Sequence, residues 1–125
     1  MAGESILIID DNLINLQLLQ DLLVLEGYTT RTSTSHTEAF DVLNHFEPRM
    51  ILMDIRMPGM DGLTLTKQLK ADPKYRDTII LAVSALAKKH DMKNALAAGC
   101  HGYITKPIDI DELPKVIRQF LDKPV

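Results

Sequence analysis

This 125-residue chain has little of several things that would point to particular classes of protein. It has one cysteine, Cys100, which excludes an internal disulfide framework and a cysteine-rich zinc site. It has no tryptophan and no excess of base, with 14 Lys and Arg against 17 Asp and Glu and a net charge of −3. A nucleic-acid or anionic-membrane binder normally leans the other way. No apolar run approaches the roughly 20 residues that span a bilayer, and no basic segment precedes the first apolar run, Ile6 to Ile9. With 46% hydrophobic and 25% charged residues, the composition is that of a globular protein with a real core. The expectation is one reduced, soluble, cytoplasmic domain over residues 1–125, with no membrane and no direct nucleic-acid partner.

What the chain does have is a beat. Short apolar runs fall at residues 5–9, 28–32, 50–53, 78–83 and 102–105, roughly 22–29 residues apart. Ile6 to Ile9 and Met50 to Met53 are continuously apolar rather than alternating, the habit of strands covered on both faces. Between the runs lie segments with helical spacing. Leu18, Leu22 and Leu25 stand at i, i+4 and i+7, and Ala39, Val42, Leu43 and Phe46 mark the second interval. Gly27 and Gly99 stand where left-handed helix ends are wanted. Asp109 and Glu112 have the spacing of a capping box at the last helix, with Pro114 in its first turn. Five strands alternating with five helices predict a doubly wound parallel α/β sheet with right-handed crossovers.

In such a sheet the ligand site lies at the carboxyl ends of the strands. Strand one ends in Asp10 and Asp11, strand three in Asp54 and strand four in Ser84; Lys106 and Pro107 follow strand five. Each residue alone has an ordinary reading: a helix cap for Asp11 or Asn12, a satisfied hydroxyl for Ser84, a solvated ammonium for Lys106. Together they converge. Three neighbouring carboxylates need cations to stay ionised, and Lys106 with a divalent ion such as Mg²⁺ can supply them. A carboxylate beside those cations is a competent nucleophile toward phosphorus.

The set Asp10-Asp11-Asn12, Ile51-Leu52-Met53-Asp54 followed by Met57-Pro58-Gly59-Met60-Asp61-Gly62, Ser84-Ala85 and Gly102-Tyr103-Ile104-Thr105-Lys106-Pro107 resembles the receiver domain of two-component response regulators. The resemblance implies a five-stranded sheet of order 2-1-3-4-5 and a phosphoryl group accepted on Asp54. It implies Mg²⁺ held by Asp10, Asp11, Asp54 and the backbone carbonyl of Arg56. Lys106 would pair with the phosphoryl group or with Asp54, across a cis bond to Pro107, and Ser84 and Tyr103 would be the switch pair. Arg56 and Leu86 would stand where family members vary and water access is tuned. The implied donor is a histidine kinase or a histidine-containing phosphotransfer protein, docked on the first helix at Leu13, Ile14 and Leu16. Output would pass by contact to a downstream protein, from a monomer or weak dimer.

A rival reading is an aspartate-nucleophile phosphohydrolase of the haloacid dehalogenase type. It wants a second Asp two residues past the nucleophile, where this chain has Arg56. A pseudo-receiver would have lost acidic or lysine positions, and a flavodoxin-type FMN site would need a Ser/Thr/Gly-rich loop after strand one. His36, His45, His90 and His101 share no metal-ligand spacing and read as surface or cap residues. Cys100 reads as a small buried side chain, and Lys88, Lys89 and Lys93 as a solvated stripe.

Overall fold

The computed structural model describes residues 4–56, 61–85 and 88–122. Met57, Pro58, Gly59, Met60 and Leu86 lie outside them. Five strands form one sheet: β1 (Ser5–Ile9), β2 (Thr29–Ser33), β3 (Met50–Asp54), β4 (Ile79–Ser84) and β5 (Gly102–Thr105), all parallel, in the order β2-β1-β3-β4-β5. Five helices connect and follow them: α1 (Leu13–Leu25), α2 (His36–Leu43), α3 (Gly62–Lys70), α4 (Lys89–Ala98) and α5 (Leu113–Leu121). The expected order and connectivity are those observed, with β2 and β4 displaced by one residue.

Alternate strand residues serve two cores. Ile6, Ile8, Met50, Leu52, Ile79, Leu81 and Val83 face α1 and α5, where they meet Leu16, Leu19, Leu23, Leu113, Ile117 and Leu121. Leu7, Ile9, Ile51, Met53, Ile80 and Ala82 face the other layer, against Ala39, Leu43, Leu65, Leu69 and Ala95. Covering both faces is why β3 and β4 are buried along their whole length and read as unbroken apolar runs.

Local chemistry sets most helix starts. The Asn12 side chain accepts from the amides of Ile14 and Asn15, and Ser35 and Glu38 cap α2 reciprocally, Glu38 accepting from Thr34 N. Asp61 accepts from Thr64 N at the start of α3. Gly27 and Gly99 have φ of 93° and 117°, the left-handed region expected of them.

Two expectations are corrected. The core face of α1 is Leu16, Leu19 and Leu23, whereas Leu18 is 39% and Leu25 82% exposed. Leu16, read as part of a partner surface, is therefore a core residue. The helix is apolar on nearly every side, so periodicity could not fix its rotation about its axis. The last helix also begins later than the capping-box spacing implied. Asp109 Oδ1 accepts from the amides of Asp111 and Glu112, and Leu113 N donates to Asp109 O. Pro114 has no N–H to continue that ladder, so residues 110–112 form a turn and α5 starts at Leu113.

Candidate functional site

The strand order places β1, β3 and β4 side by side, so their carboxyl ends share one rim. Asp10 follows β1, Asp54 ends β3, Ser84 ends β4, and all three are buried, at 1%, 5% and 2% exposure. Asp11 is exposed beside them. One oxygen from each of Asp10, Asp11 and Asp54 lies within 4.8 Å of the others. Lys106 reaches in from the end of β5: its Nζ stands 3.2 Å from Asp10 Oδ2 and 3.4 Å from Asp54 Oδ2. The backbone anchors this lysine, since Lys106 N donates to Ser84 O at 2.8 Å. The Lys106–Pro107 bond is cis.

The carboxylates are aimed by short local bonds. Asp10 Oδ1 accepts from Asn12 N at 2.9 Å, and Asp54 Oδ1 accepts from Arg56 N at 3.2 Å. Each acid thus has one oxygen tied to the backbone two residues on, leaving the other for the site. Burial pushes the Asp54 pKa up from 3.8 to about 6, and the charge of Asp10 and a hydrogen bond shared with it push the same way. The Lys106 ammonium and the Arg56 amide pull it partly back.

Three carboxylates facing one ammonium leave the cluster short of positive charge. The buried Oδ2 of Asp10 accepts no hydrogen bond, although Lys106 lies beside it. An all-oxygen donor set in which a buried carboxylate oxygen has no hydrogen-bond donor fits a hard divalent cation of the Mg²⁺ type. Tyr103 sits mid-strand in β5, paired in register with Ala82 and partly buried against the core beneath α2, α3 and α4. On α1, Leu13 and Ile14 are 69% and 79% exposed, so two of the three expected partner-surface residues are at the surface. Cys100 is buried, and Lys88, Lys89 and Lys93 are solvated.

One residue of the motif after Asp54 has a structural duty that its place in the sequence does not reveal. Gly62 opens α3 directly against the backbone of the Asp54 strand, its N–H donating to Ile55 O at 2.6 Å. The glycine itself was visible in the sequence; the close approach that demands it was not.

An open parallel α/β sheet with a buried carboxylate cluster and a lysine at its carboxyl edge defines a doubly wound protein with an acidic cation-type pocket. The chain matches the model of the response regulator receiver domain over residues 6–118 and belongs to that family. The polar-differentiation response regulator DivK of Brucella ovis is 38% identical over 118 residues, covering 94% of this chain and 96% of that one. A putative response regulator from Chloroflexus aurantiacus superposes with a TM-score of 0.91 at 27% identity, covering 97% and 99% of the two chains. The receiver domain of the sensor histidine kinase PA1611 from Pseudomonas aeruginosa, solved with a magnesium ion coordinated in its active-site cleft, gives 0.87 at 30% identity over 98% and 100%. Among the described residues, no helix is long and apolar enough to cross a membrane.

Proposed function

We propose that this receiver accepts a phosphoryl group on Asp54 from a phosphohistidine of a sensor kinase or phosphotransfer protein, and that the modified site alters a protein-binding surface. The observation that carries this is Asp54 itself, buried, oriented by the Arg56 amide and flanked by Lys106 and two further carboxylates. With its pKa near 6, Asp54 is mostly ionised at neutral pH yet more basic than an ordinary aspartate. A carboxylate oxygen forms the new P–O bond, the P–N bond to the donor imidazole breaks, and its electron pair leaves with the ring nitrogen. Lys106, already within 3.4 Å of Asp54, faces the charge that develops on the phosphoryl oxygens.

Asp10, Asp11, Asp54 and the carbonyl of Arg56 would hold Mg²⁺, and the metal-bearing cleft of the Pseudomonas relative supports the choice of ion. When bound, the ion screens the approach of one anion to another. The phosphoaspartate then carries close to two negative charges. The Ser84 hydroxyl and Lys106 would answer them, and Tyr103, on the strand next to that of Ser84, would pass the change on toward α4. The chain thus promotes its own phosphorylation and hydrolysis rather than turning over a separate substrate. In this reading it works in the cytoplasm, its output passes to a downstream protein, and it is a monomer or weak dimer.

Two tests follow directly. Titrating Mg²⁺ into the apo protein should shift the amides of Asp10, Asp11, Asp54 and Arg56 before any others. No change up to tens of millimolar, roughly the weak end for oxygen-ligand sites, would remove the metal from the reading. Acetyl phosphate with Mg²⁺ should leave one acid-labile adduct on the intact protein, and steady-state turnover of generic phosphomonoesters should be absent. Many turnovers per molecule would instead favour a phosphohydrolase.

The exposed Leu13 and Ile14 make α1 the expected docking face for the donor. Ile14→Ala should slow transfer from a protein phosphodonor about tenfold, the loss of one modest interface anchor. It should leave phosphorylation by acetyl phosphate unchanged, because that small donor needs no docking surface. Equal rates with both donors would move the docking face elsewhere.

A further inference from the structure

Strand β5 is at the edge of the sheet, and its one strand partner is β4. The ladder between them begins with the pair Leu81 and Gly102. Just before it, His101 does something a backbone residue normally does. Its N–H donates to Ile80 O at 2.7 Å, and the Ile80 N–H donates back to the ring Nδ1 of His101 at 3.1 Å. The imidazole therefore stands in for a carbonyl. Ile80 is fully buried, so its N–H has no water to turn to if the ring stops accepting.

We infer that His101 is a pH-gated fastener of the edge strand: neutral, it completes the β4–β5 ladder below Gly102, and protonated, it releases the Ile80 amide. Nδ1 can accept a proton-bearing amide only while it carries no proton itself, so the bonded form is the Nε2–H tautomer. Protonation turns the acceptor into a second donor facing a donor. The strand so fastened carries Tyr103 and leads into Lys106, so the fastener acts on the element that bears half of the phosphoryl-sensing apparatus.

The surroundings push toward the neutral ring. Burial and the positive charge of Lys70 on α3 lower the His101 pKa from 6.5, and an amide donating to Nδ1 favours the unprotonated ring as well. Among the described residues Lys70 is the charged group that acts appreciably on the ring, and it is in turn influenced by Asp77 and the Cys100 thiol. Lys70 is held in place by the carbonyls of Tyr75, Arg76 and Thr78, which accept from its Nζ. With the folded-state pKa depressed, the contribution of the fastener is complete above the unfolded value near 6.5. It is lost as pH falls through the folded one.

Asp54 titrates in the same range with the opposite sign, because its raised pKa makes the folded state bind protons first. The test must therefore be differential. His101→Asn supplies a side-chain carbonyl at the reach of Nδ1 that does not titrate. In wild type, ¹⁵N imidazole spectra above neutrality should show Nδ1 unprotonated and Nε2 protonated. As pH falls from about 7.5 to about 5.5, across the ordinary histidine range, the unfolding equilibrium constant of wild type should rise about fivefold relative to His101→Asn, the effect of one hydrogen bond. A proton resident on Nδ1, or an equal pH response in the two proteins, would overturn the assignment. The spectrum of wild type decides the first point even if the variant fails to fold.

Discussion

Asp54→Asn is expected to take up no phosphoryl group from acetyl phosphate or from a protein donor, while becoming more stable than wild type at neutral pH without metal. The first half follows from chemistry: an amide has no anionic oxygen to attack phosphorus. Intact-mass spectra should show the adduct on wild type and none on the variant, and an undiminished adduct would place the acceptor elsewhere. The second half follows from electrostatics. The folded state raises the Asp54 pKa from 3.8 to about 6, chiefly through burial and then through Asp10. A carboxylate whose pKa is raised on folding is destabilising when ionised, by about 1.4 kcal/mol per unit, so here on the order of 2–3 kcal/mol.

The sign fixes the pH window. Above about 6 both folded and unfolded wild type carry the charge, and the full penalty is present. As pH falls from 6 toward 4 the folded state takes up the proton first, and wild type regains the difference. Denaturation curves for the two proteins should therefore lie apart at pH 7 and converge in mild acid. Saturating Mg²⁺ at pH 7 should narrow the gap as well, because a ligand of the native site stabilises wild type by mass action. A variant less stable than wild type at pH 7 in chelator would mean that Lys106 outweighs the repulsion between Asp10 and Asp54.

The features that sequence made legible are those in which one residue type has one physical use. The runs at Ile6 to Ile9 and Met50 to Met53 can be continuously apolar because both faces of a central parallel strand are covered, and the two separate cores show both faces in use. Acids and a lysine at strand ends can be recognised because few other places tolerate them buried. Where a residue has several uses, the reading fails or stays silent. Leu16 and Leu18 are equally apolar, and the choice of which turns inward is made by how Asn12 caps α1 and how the chain leaves β1. Asp109 has the right partner at the right spacing, but Pro114 interrupts the ladder and moves the helix start. His101 is exposed, as a surface histidine should be, but its bond to Ile80 is not legible in the sequence, because it joins two segments 21 residues apart.

Gly62 gives the second large expected effect. The structure uses it for a close crossing. A Cβ at this position would lie 2.5 Å from Asp54 O, 2.8 Å from Ile55 Cα and 2.9 Å from Met53 Cγ. The first two are backbone atoms of the acceptor segment and cannot swing aside as a side-chain end could. In Gly62→Ala, either α3 lifts away and loses its bond to Ile55 O, or Asp54 and Ile55 are pushed toward the site. Overpacking of this kind costs about 1–3 kcal/mol and sometimes more, which for a domain of this size lowers Tm by roughly 5–10 °C. A displaced acceptor should also slow phosphorylation by acetyl phosphate, by up to about a hundredfold for a misplacement near 1 Å. Thr64→Ala, two residues on and exposed, is the control, and should stay within about 1 kcal/mol of wild type because it keeps the backbone N–H that caps on Asp61. If Gly62→Ala melts and phosphorylates like that control, α3 and the Asp54 strand are not held at this distance in solution. If it melts lower but phosphorylates normally, the strain is taken up by α3 and the acceptor stays where Arg56 and Lys106 hold it.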